Sequence, residues 1–237
     1  MITLRDTFLR RIDAHDAYIG IIGQGYVGLP LALTFVEKGF RVLGFDVDAE
    51  KVAALNGGEC YIRHVDRVRV KRARETKLFE ATADFTRLHE PDAILICVPT
   101  PLTAQKEPDL TYVRQTAEAI RRHLRRGQLI VLESTTYPGT TDELVRGVLE
   151  QGGLTAGVDF FLAFSPERED PGNKSHSTPT IPKVVGGIDD VSGDVAQRLY
   201  DAAVATTVRV SSARVAEATK LTENIFRAVN IALVNGR

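Results

Sequence analysis

Three glycines spaced as G-x-G-x-x-G, at positions 23, 25 and 28, mark a turn that can bind phosphate. The turn follows an apolar run at 18–22 and opens a predicted helix, which is the context this pattern requires. The first glycine permits the tight turn, the second lets the backbone approach a pyrophosphate, and the third packs helix on strand. The N–H groups at the helix N-terminus attract the phosphates. We therefore predict a dinucleotide site that includes Gly23, Gly25, Tyr26, Val27 and Gly28.

A carboxylate residue, Asp46, directly follows the next predicted strand. Asp46 follows the run 41–45 and lies eighteen residues after Gly28. In this position a carboxylate accepts hydrogen bonds from the ribose hydroxyls of adenosine and repels a 2′-phosphate. The sequence therefore predicts NAD, rather than NADP, as the cofactor.

Polar segments follow three later strands, at 97–102 (CVPTPL), 133–141 (ESTTYPGTT) and 165–172 (SPEREDPG). Ligands of open α/β sheets bind outside the carboxyl ends of the strands, so these segments are candidates for a shared site. A helix near the end of the sequence carries Glu217, Lys220 and Asn224. Lys220 and Asn224 are four residues apart and project from one face of that helix.

Five motifs, in order, resemble the UDP-glucose/GDP-mannose dehydrogenase family: GQGYVGLPLA, FDVD, CVPTPL, ESTTYPGTT and KLTENIFRAVNIALVN. The resemblance covers nearly the whole chain. The loop SPEREDPGN followed by IPKVVGG is most similar to the branch that acts on UDP-N-acetylglucosamine. The family resemblance implies an NAD-dependent enzyme that oxidises the C6 alcohol of a UDP-sugar to the uronate, with two hydride transfers.

The resemblance also implies roles for single residues. Thr135 would hold a catalytic water, and Glu167 would act as a general base or orient that water. Lys220 would stabilise negative charge on the reacting C6 oxygen, assisted by Asn224. The cofactor is further expected to contact Val98, Pro99, Thr100 and Thr135.

Members of this family trap the intermediate aldehyde on a cysteine thiolate, which can add to a carbonyl and later leave from an acyl group. That cysteine belongs to a motif downstream of the KLTEN helix, which this sequence does not contain. Cys97 lies in a predicted buried strand, and Cys60 follows a loop on the second-strand side, away from the carboxyl-edge motifs. We expect neither to be the nucleophile, and we expect this chain alone to bind NAD without completing the oxidation.

The elements that must position these residues alternate between strand and helix. Strands are predicted at 18–22, 41–45, 78–81, 93–98, 129–132, 160–164, 184–185 and 207–210. Helices are predicted at 4–12, 29–38, 49–55, 110–124, 140–151, 191–203 and from 212 onward. This alternation predicts an α/β fold, a Rossmann-like doubly wound parallel sheet with helices on both faces. Residues 1–211 would form the NAD-binding domain and 212–237 the start of a long connecting helix.

That last helix is still in apolar register, with Ile225, Val229 and Leu233, where the sequence stops. We expect the chain to be truncated before a second domain, and the exposed apolar face predicts a homodimer through the helix.

Overall composition excludes several classes of function. The formal net charge of -1 makes no electrostatic case for binding nucleic acid or an anionic membrane, and no apolar run approaches the length of a membrane span. Two cysteines provide neither a disulfide framework nor a metal-ligand spacing, so no metal is expected. The N-terminus lacks the apolar core of a signal peptide, which predicts a cytoplasmic protein.

Two alternatives share the dinucleotide turn. A β-hydroxyacid dehydrogenase also pairs such a domain with a lysine and an asparagine on a connecting helix, and it needs no thiol. The long polar segments at 133–141 and 165–173 argue against it, since they suit a sugar nucleotide. The other alternative is a non-catalytic NAD-binding module, which the missing nucleophile favours and the retained polar set disfavours.

Overall fold

The computed structural model describes residues 2–105, 107–167 and 182–235. Within these ranges the strands are β1 (Tyr18–Ile22), β2 (Arg41–Phe45), β3 (Phe79–Thr82), β4 (Ala93–Ile96), β5 (Leu129–Leu132), β6 (Phe161–Phe164), β7 (Lys183–Gly187) and β8 (Thr207–Arg209). The α-helices are α1 (Leu4–Asp13), α2 (Gly28–Glu37), α3 (Ala49–Asn56), α4 (Arg67–Glu75), α5 (Thr111–Arg121), α6 (Arg146–Glu150), α7 (Asp190–Asp201) and α8 (Ala213–Asn235). A 3₁₀-helix covers Phe85–His89, and a π-helix covers Thr140–Val145.

The described strands form one eight-stranded sheet in the order β3-β2-β1-β4-β5-β6-β7-β8. Strand β1 lies between β2 and β4, so the strand order reverses there, and a crevice opens at the carboxyl ends of these strands. The Rossmann-like α/β fold predicted from the sequence is confirmed.

One strand runs against the others. Strand β7 pairs with β6 in antiparallel orientation, whereas the sequence predicted a parallel sheet throughout. That detail of the prediction was wrong, because an antiparallel neighbour needs no crossover helix and none was predicted between the two strands. The reversal brings the start of β7, at Lys183, to the edge where the parallel strands end.

Buried apolar side chains cover both faces of the sheet. In β1, Ile19 and Ile21 enter one core cluster, while Tyr18 and Ile22 enter the other. This alternation follows from the two-residue period of a strand, and a strand covered on both faces is apolar throughout. The sheet is therefore covered by helices on both sides, as a doubly wound fold requires.

One helical segment differs from the prediction. The segment 140–151 is a π-helix followed by the short α6, rather than one regular helix. Single π turns inside helical segments are frequent at functional sites. Helix α4 lies in the strongly basic segment that follows α3, whose charge pattern favours the solvated face of a helix.

Helix α8 is anchored at its start only. Its buried residues are Ala213, Ala216, Glu217 and Lys220. Beyond them the predicted apolar register is exposed, with Val229 at 60% and Leu233 at 67% of full exposure. Across the described ranges, no helix combines the length and the apolar character needed to cross a membrane.

Candidate functional site

The glycine turn between β1 and α2 has a geometry that side chains would disrupt. Gly23 has φ +92°, and a Cβ there would lie 2.6 Å from the carbonyl oxygen of Cys97. At Gly28 a Cβ would lie 1.8 Å from the Gly23 oxygen, so the start of α2 packs directly on the turn. A Cβ at Gly25 would meet nothing within 4 Å. The first and third glycines are therefore needed for packing, and the second borders open space.

The turn presents backbone donors to that space. Among the described residues, none accepts a hydrogen bond from the N–H of Gly25, Tyr26 or Val27. Val27 caps α2 without a side-chain acceptor. Unpaired N–H groups and the positive end of a helix dipole together form a binding site for anions.

Asp46, at the end of β2, is buried beside the turn. Its Oδ2 accepts a hydrogen bond from the Gln24 N–H at 2.9 Å, and its Oδ1 accepts one from the Asp48 N–H at 3.0 Å. The Nζ of Lys51 lies 3.9 Å from Oδ1. The carboxylate is thus held in place by backbone donors next to the glycine turn.

A cleft of about 840 Å³ joins these groups. Its volume lies in the range of small-molecule and cofactor sites. The sequence-predicted residues in its lining are Gly23, Gly25, Tyr26, Val27, Asp46, Val98 and Pro99. Gly28 is buried behind the turn, and Thr100 and Thr135 are outside this lining. The Thr100 hydroxyl donates to the Thr135 carbonyl at 2.8 Å, so these two predicted residues lie together beside Pro99.

A second wall of the cleft was not predicted from the sequence. Tyr61 lines it, and its hydroxyl donates to the carbonyl oxygen of Gln24 at 2.5 Å. The neighbouring His64 ring stacks on Tyr26, with 5.2 Å between the ring centroids. Cys60 was expected to lie away from the carboxyl-edge motifs; its neighbour Tyr61 nevertheless lines the cleft.

The structure brings two of the predicted catalytic residues together. The Nζ of Lys220 donates to the backbone carbonyl of Glu167 at 2.5 Å, which joins α8 to the segment that follows β6. Lys220 is buried, and Asn224 is part-buried one helical turn further on. Thr135 is exposed at the end of β5. The remainder of the predicted SPEREDPGN loop, from Arg168 onward, lies outside the described residues.

A buried ion pair lies between these segments. Lys183 donates to Oε2 of Glu133 at 2.6 Å, and its Nζ is 3.4 Å from the Pro166 carbonyl oxygen. The Tyr200 hydroxyl donates to the other oxygen of Glu133. Burial opposes the charge of Lys183, but the carboxylates of Glu133 and Glu167 outweigh it and raise the pKa of the ammonium group. No role for this pair was predicted from the sequence.

The two cysteines differ in burial: Cys60 is buried, whereas Cys97 is partly buried and lines the cleft. Burial raises the pKa of the Cys97 thiol well above its usual value, so it stays protonated. Cys60 is buried, and its Sγ donates to the carbonyl of Ile62 at 3.5 Å. A nucleophilic thiol is a thiolate with access to its substrate. Cys60 lacks access and the Cys97 thiol is protonated, so we continue to expect that neither is the nucleophile. The described residues contain no cluster of three or more side chains that could hold a metal ion.

Together, the strand reversal, the glycine turn and the buried carboxylate after β2 define a dinucleotide-binding α/β protein. Residues 17–204 match the model of the UDP-glucose/GDP-mannose dehydrogenase family, NAD binding domain. The chain belongs to this family, and its cofactor is NAD.

Individual relatives agree with this family. The chain is 39% identical over 222 residues to UDP-N-acetyl-D-glucosamine 6-dehydrogenase of Pseudomonas aeruginosa, covering 93% of this chain and 52% of the relative. It is 35% identical to UDP-N-acetyl-D-mannosamine dehydrogenase of Pyrococcus horikoshii, over 92% of this chain and 52% of that protein. The solved NDP-N-acetyl-D-galactosaminuronic acid dehydrogenase of Methanosarcina mazei superposes with a TM-score of 0.86 and 33% identity, covering 100% of this chain and 52% of that one. The chain thus spans about half the length of these relatives.

Proposed function

We propose that the chain is the cofactor-binding half of a nucleotide-sugar 6-dehydrogenase, which oxidises the C6 alcohol of a UDP-sugar to a carboxylate. The observation that carries this proposal is the contact between Lys220 and the Glu167 backbone. It joins the connecting helix to a carboxyl-edge segment, which is where substrate binds in open α/β folds.

Each residue of the predicted catalytic set has a chemical task in this proposal. When bound, NAD accepts a hydride from C6; the full oxidation of an alcohol to an acid releases two hydrides and takes one oxygen from water. Lys220 stabilises negative charge that develops on the C6 oxygen, and Asn224 assists from the same helical face. Thr135 and Glu167 hold and orient the water.

UDP-N-acetylglucosamine is the first candidate substrate. The relatives include dehydrogenases named for N-acetylglucosamine, N-acetylmannosamine and N-acetylgalactosaminuronic acid, which are all 2-acetamido sugars. A UDP-sugar with an acetamido group at C2 is therefore the proposed class. Such substrates and two free cysteines are consistent with the cytoplasm as the proposed compartment.

An assay of NADH formation tests the proposal. The purified chain is mixed with NAD and UDP-N-acetylglucosamine, and NADH is followed by its absorbance. Because Cys60 is buried and burial raises the pKa of the Cys97 thiol, we expect NAD to bind without sustained production of two NADH per sugar. Sustained production would contradict the structural assignment of both thiols. Oxidation of a small β-hydroxyacid instead of the UDP-sugar would contradict the substrate class and favour a β-hydroxyacid dehydrogenase. The variant K220M, which keeps the length of the side chain and removes its charge, is the matched control for any NADH formed.

A further inference from the structure

The residue between the first two glycines of the turn is held from two sides. The Gln24 N–H donates to the Asp46 carboxylate at 2.9 Å, and the Gln24 carbonyl accepts from the Tyr61 hydroxyl at 2.5 Å. Both partners come from outside the turn, from the end of β2 and from the segment between α3 and α4. The orientation of the Gln24 backbone is therefore set by two side chains.

The hydrogen bond from Tyr61 to the Gln24 carbonyl also fixes the direction of the next backbone N–H group, that of Gly25. In a planar trans peptide the C=O and the following N–H point in opposite directions. By holding the Gln24 carbonyl, Tyr61 directs the N–H of Gly25 away from itself. That N–H is one of those without an acceptor among the described residues, and Gly25 borders open space.

Tyr61 is itself held firmly enough to act in this way. It is 37% exposed at the cleft, but its neighbours Cys60 and Ile62 are both buried and anchor the segment, and the ring of His64 stacks on Tyr26 in the turn. Burial, with a further contribution from the Asp46 carboxylate, raises the pKa of the Tyr61 hydroxyl. The hydroxyl therefore remains a hydrogen-bond donor at neutral pH.

We propose that Tyr61 is a positioning residue for the cofactor. Its hydroxyl orients the Gly25 N–H toward the pyrophosphate, and its ring forms part of the cleft wall beside Asp46. The proposal rests on the binding of NAD by this chain and adds a determinant from outside the glycine motif. Tyr61 acts on the phosphates through the backbone of the turn, whereas its ring borders the adenosine side.

The variant Y61F tests the hydroxyl while keeping the ring. We expect it to bind NADH and ADP-ribose roughly five- to tenfold more weakly than the wild type, which is the effect of one hydrogen bond. Adenosine, which has no phosphate, should compete with NADH equally well in both proteins. The matched control is Y18F, because the buried Tyr18 hydroxyl has no partner among the described residues and lies at the opposite end of β1. Its NADH affinity should equal that of the wild type.

Several results would overturn the proposal. One is an NADH affinity of Y61F within about twofold of the wild type; another is an equal loss for adenosine, which would place the effect away from the phosphates. A Y61F protein that fails to fold would make the hydroxyl a structural group instead. Absence of NADH binding by the wild type would refute the cofactor assignment for this chain, and the inference with it.

Discussion

The ammonium group of Lys183 lies 2.6 Å from the carboxylate of Glu133, and both side chains are almost fully buried. Glu133 directly follows β5, and Lys183 is the first residue of β7. They meet because β7 runs antiparallel to β6, which brings its first residue to the carboxyl edge of the sheet. The pair thus connects the segment that carries Thr135 with the segment that carries Pro166 and Glu167.

Removal of one partner of this pair should destabilise the protein strongly. We expect K183M or E133L alone to lower the free energy of unfolding by about 3–5 kcal/mol, because each leaves an unpaired charge in the interior. The double variant E133L/K183M should lose clearly less than the sum of the two single losses. Urea unfolding measures all three, with R69M as control, since the Arg69–Glu37 pair is exposed and worth at most about 1 kcal/mol. Additive losses in the double variant would contradict this account.

Alanine substitutions at the second and third glycines of the turn should have different effects: G25A should weaken NADH binding, and G28A should destabilise the fold. In G25A the added methyl group meets no protein atom but enters the space assigned to the pyrophosphate. We expect unchanged thermal stability and an NADH affinity at least about tenfold weaker. In G28A the methyl group collides with the Gly23 carbonyl, so the free energy of unfolding should fall by about 3 kcal/mol or more. If G25A bound NADH as the wild type does, the pyrophosphate would lie elsewhere.

Much of the fold follows from the sequence because the central strands are short, continuously apolar runs. The limits of β1, β2 and β5 coincide with their predictions residue for residue. Burial on both faces selects such runs, and a glycine or a charged residue directly follows each of them. The direction of β7 was beyond this reasoning, since pattern alone gives a strand but not its orientation.

The site was less predictable where it depends on distant contacts. The glycine motif and Asp46 have characteristic spacings, so local sequence indicated them. Tyr61 contacts a residue 37 positions away, and Lys183 contacts one 50 positions away. Neither hydrophobic periodicity nor a local motif predicts contacts between residues so far apart in the sequence. An aromatic residue between two helices on the second-strand side was the one available signal for Tyr61.

Glu217 should give the protein a characteristic dependence on pH. Its buried carboxylate accepts hydrogen bonds from the N–H of Gly139 and from the N–H and hydroxyl of Thr141. Burial outweighs these bonds and raises the pKa of Glu217 above its usual 4.5. The folded state therefore retains a proton that the unfolded state releases, and stability falls as the pH rises through the raised pKa.

The comparison with E217Q isolates this effect, because glutamine does not titrate. Unfolding free energies of both proteins, measured at several pH values from 4.5 upward, should show the wild type losing stability relative to E217Q. Other carboxyl groups titrate in both proteins and cancel in the difference. A wild type that gains stability relative to E217Q over this range would show that the pKa is lowered instead.

The exposed apolar face of α8 predicts self-association of the chain. Val229 and Leu233 lie on this face at 60% and 67% exposure. Burying them against a second copy would remove apolar surface from water. We expect sedimentation equilibrium to give a concentration-dependent dimer for the wild type and a weaker one for V229D. A monomer at all concentrations would contradict the predicted homodimer.

Calorimetric titration of the purified chain with NADH and with NADPH tests the central claim most directly. The buried Asp46 carboxylate, held by two backbone N–H groups, lies where the adenosine ribose is expected. We predict binding of one NADH per chain and an affinity for NADPH at least about tenfold weaker, since a 2′-phosphate would face that carboxylate. Equal affinity for the two nucleotides, or binding of neither, would contradict the assignment of this cleft as an NAD site.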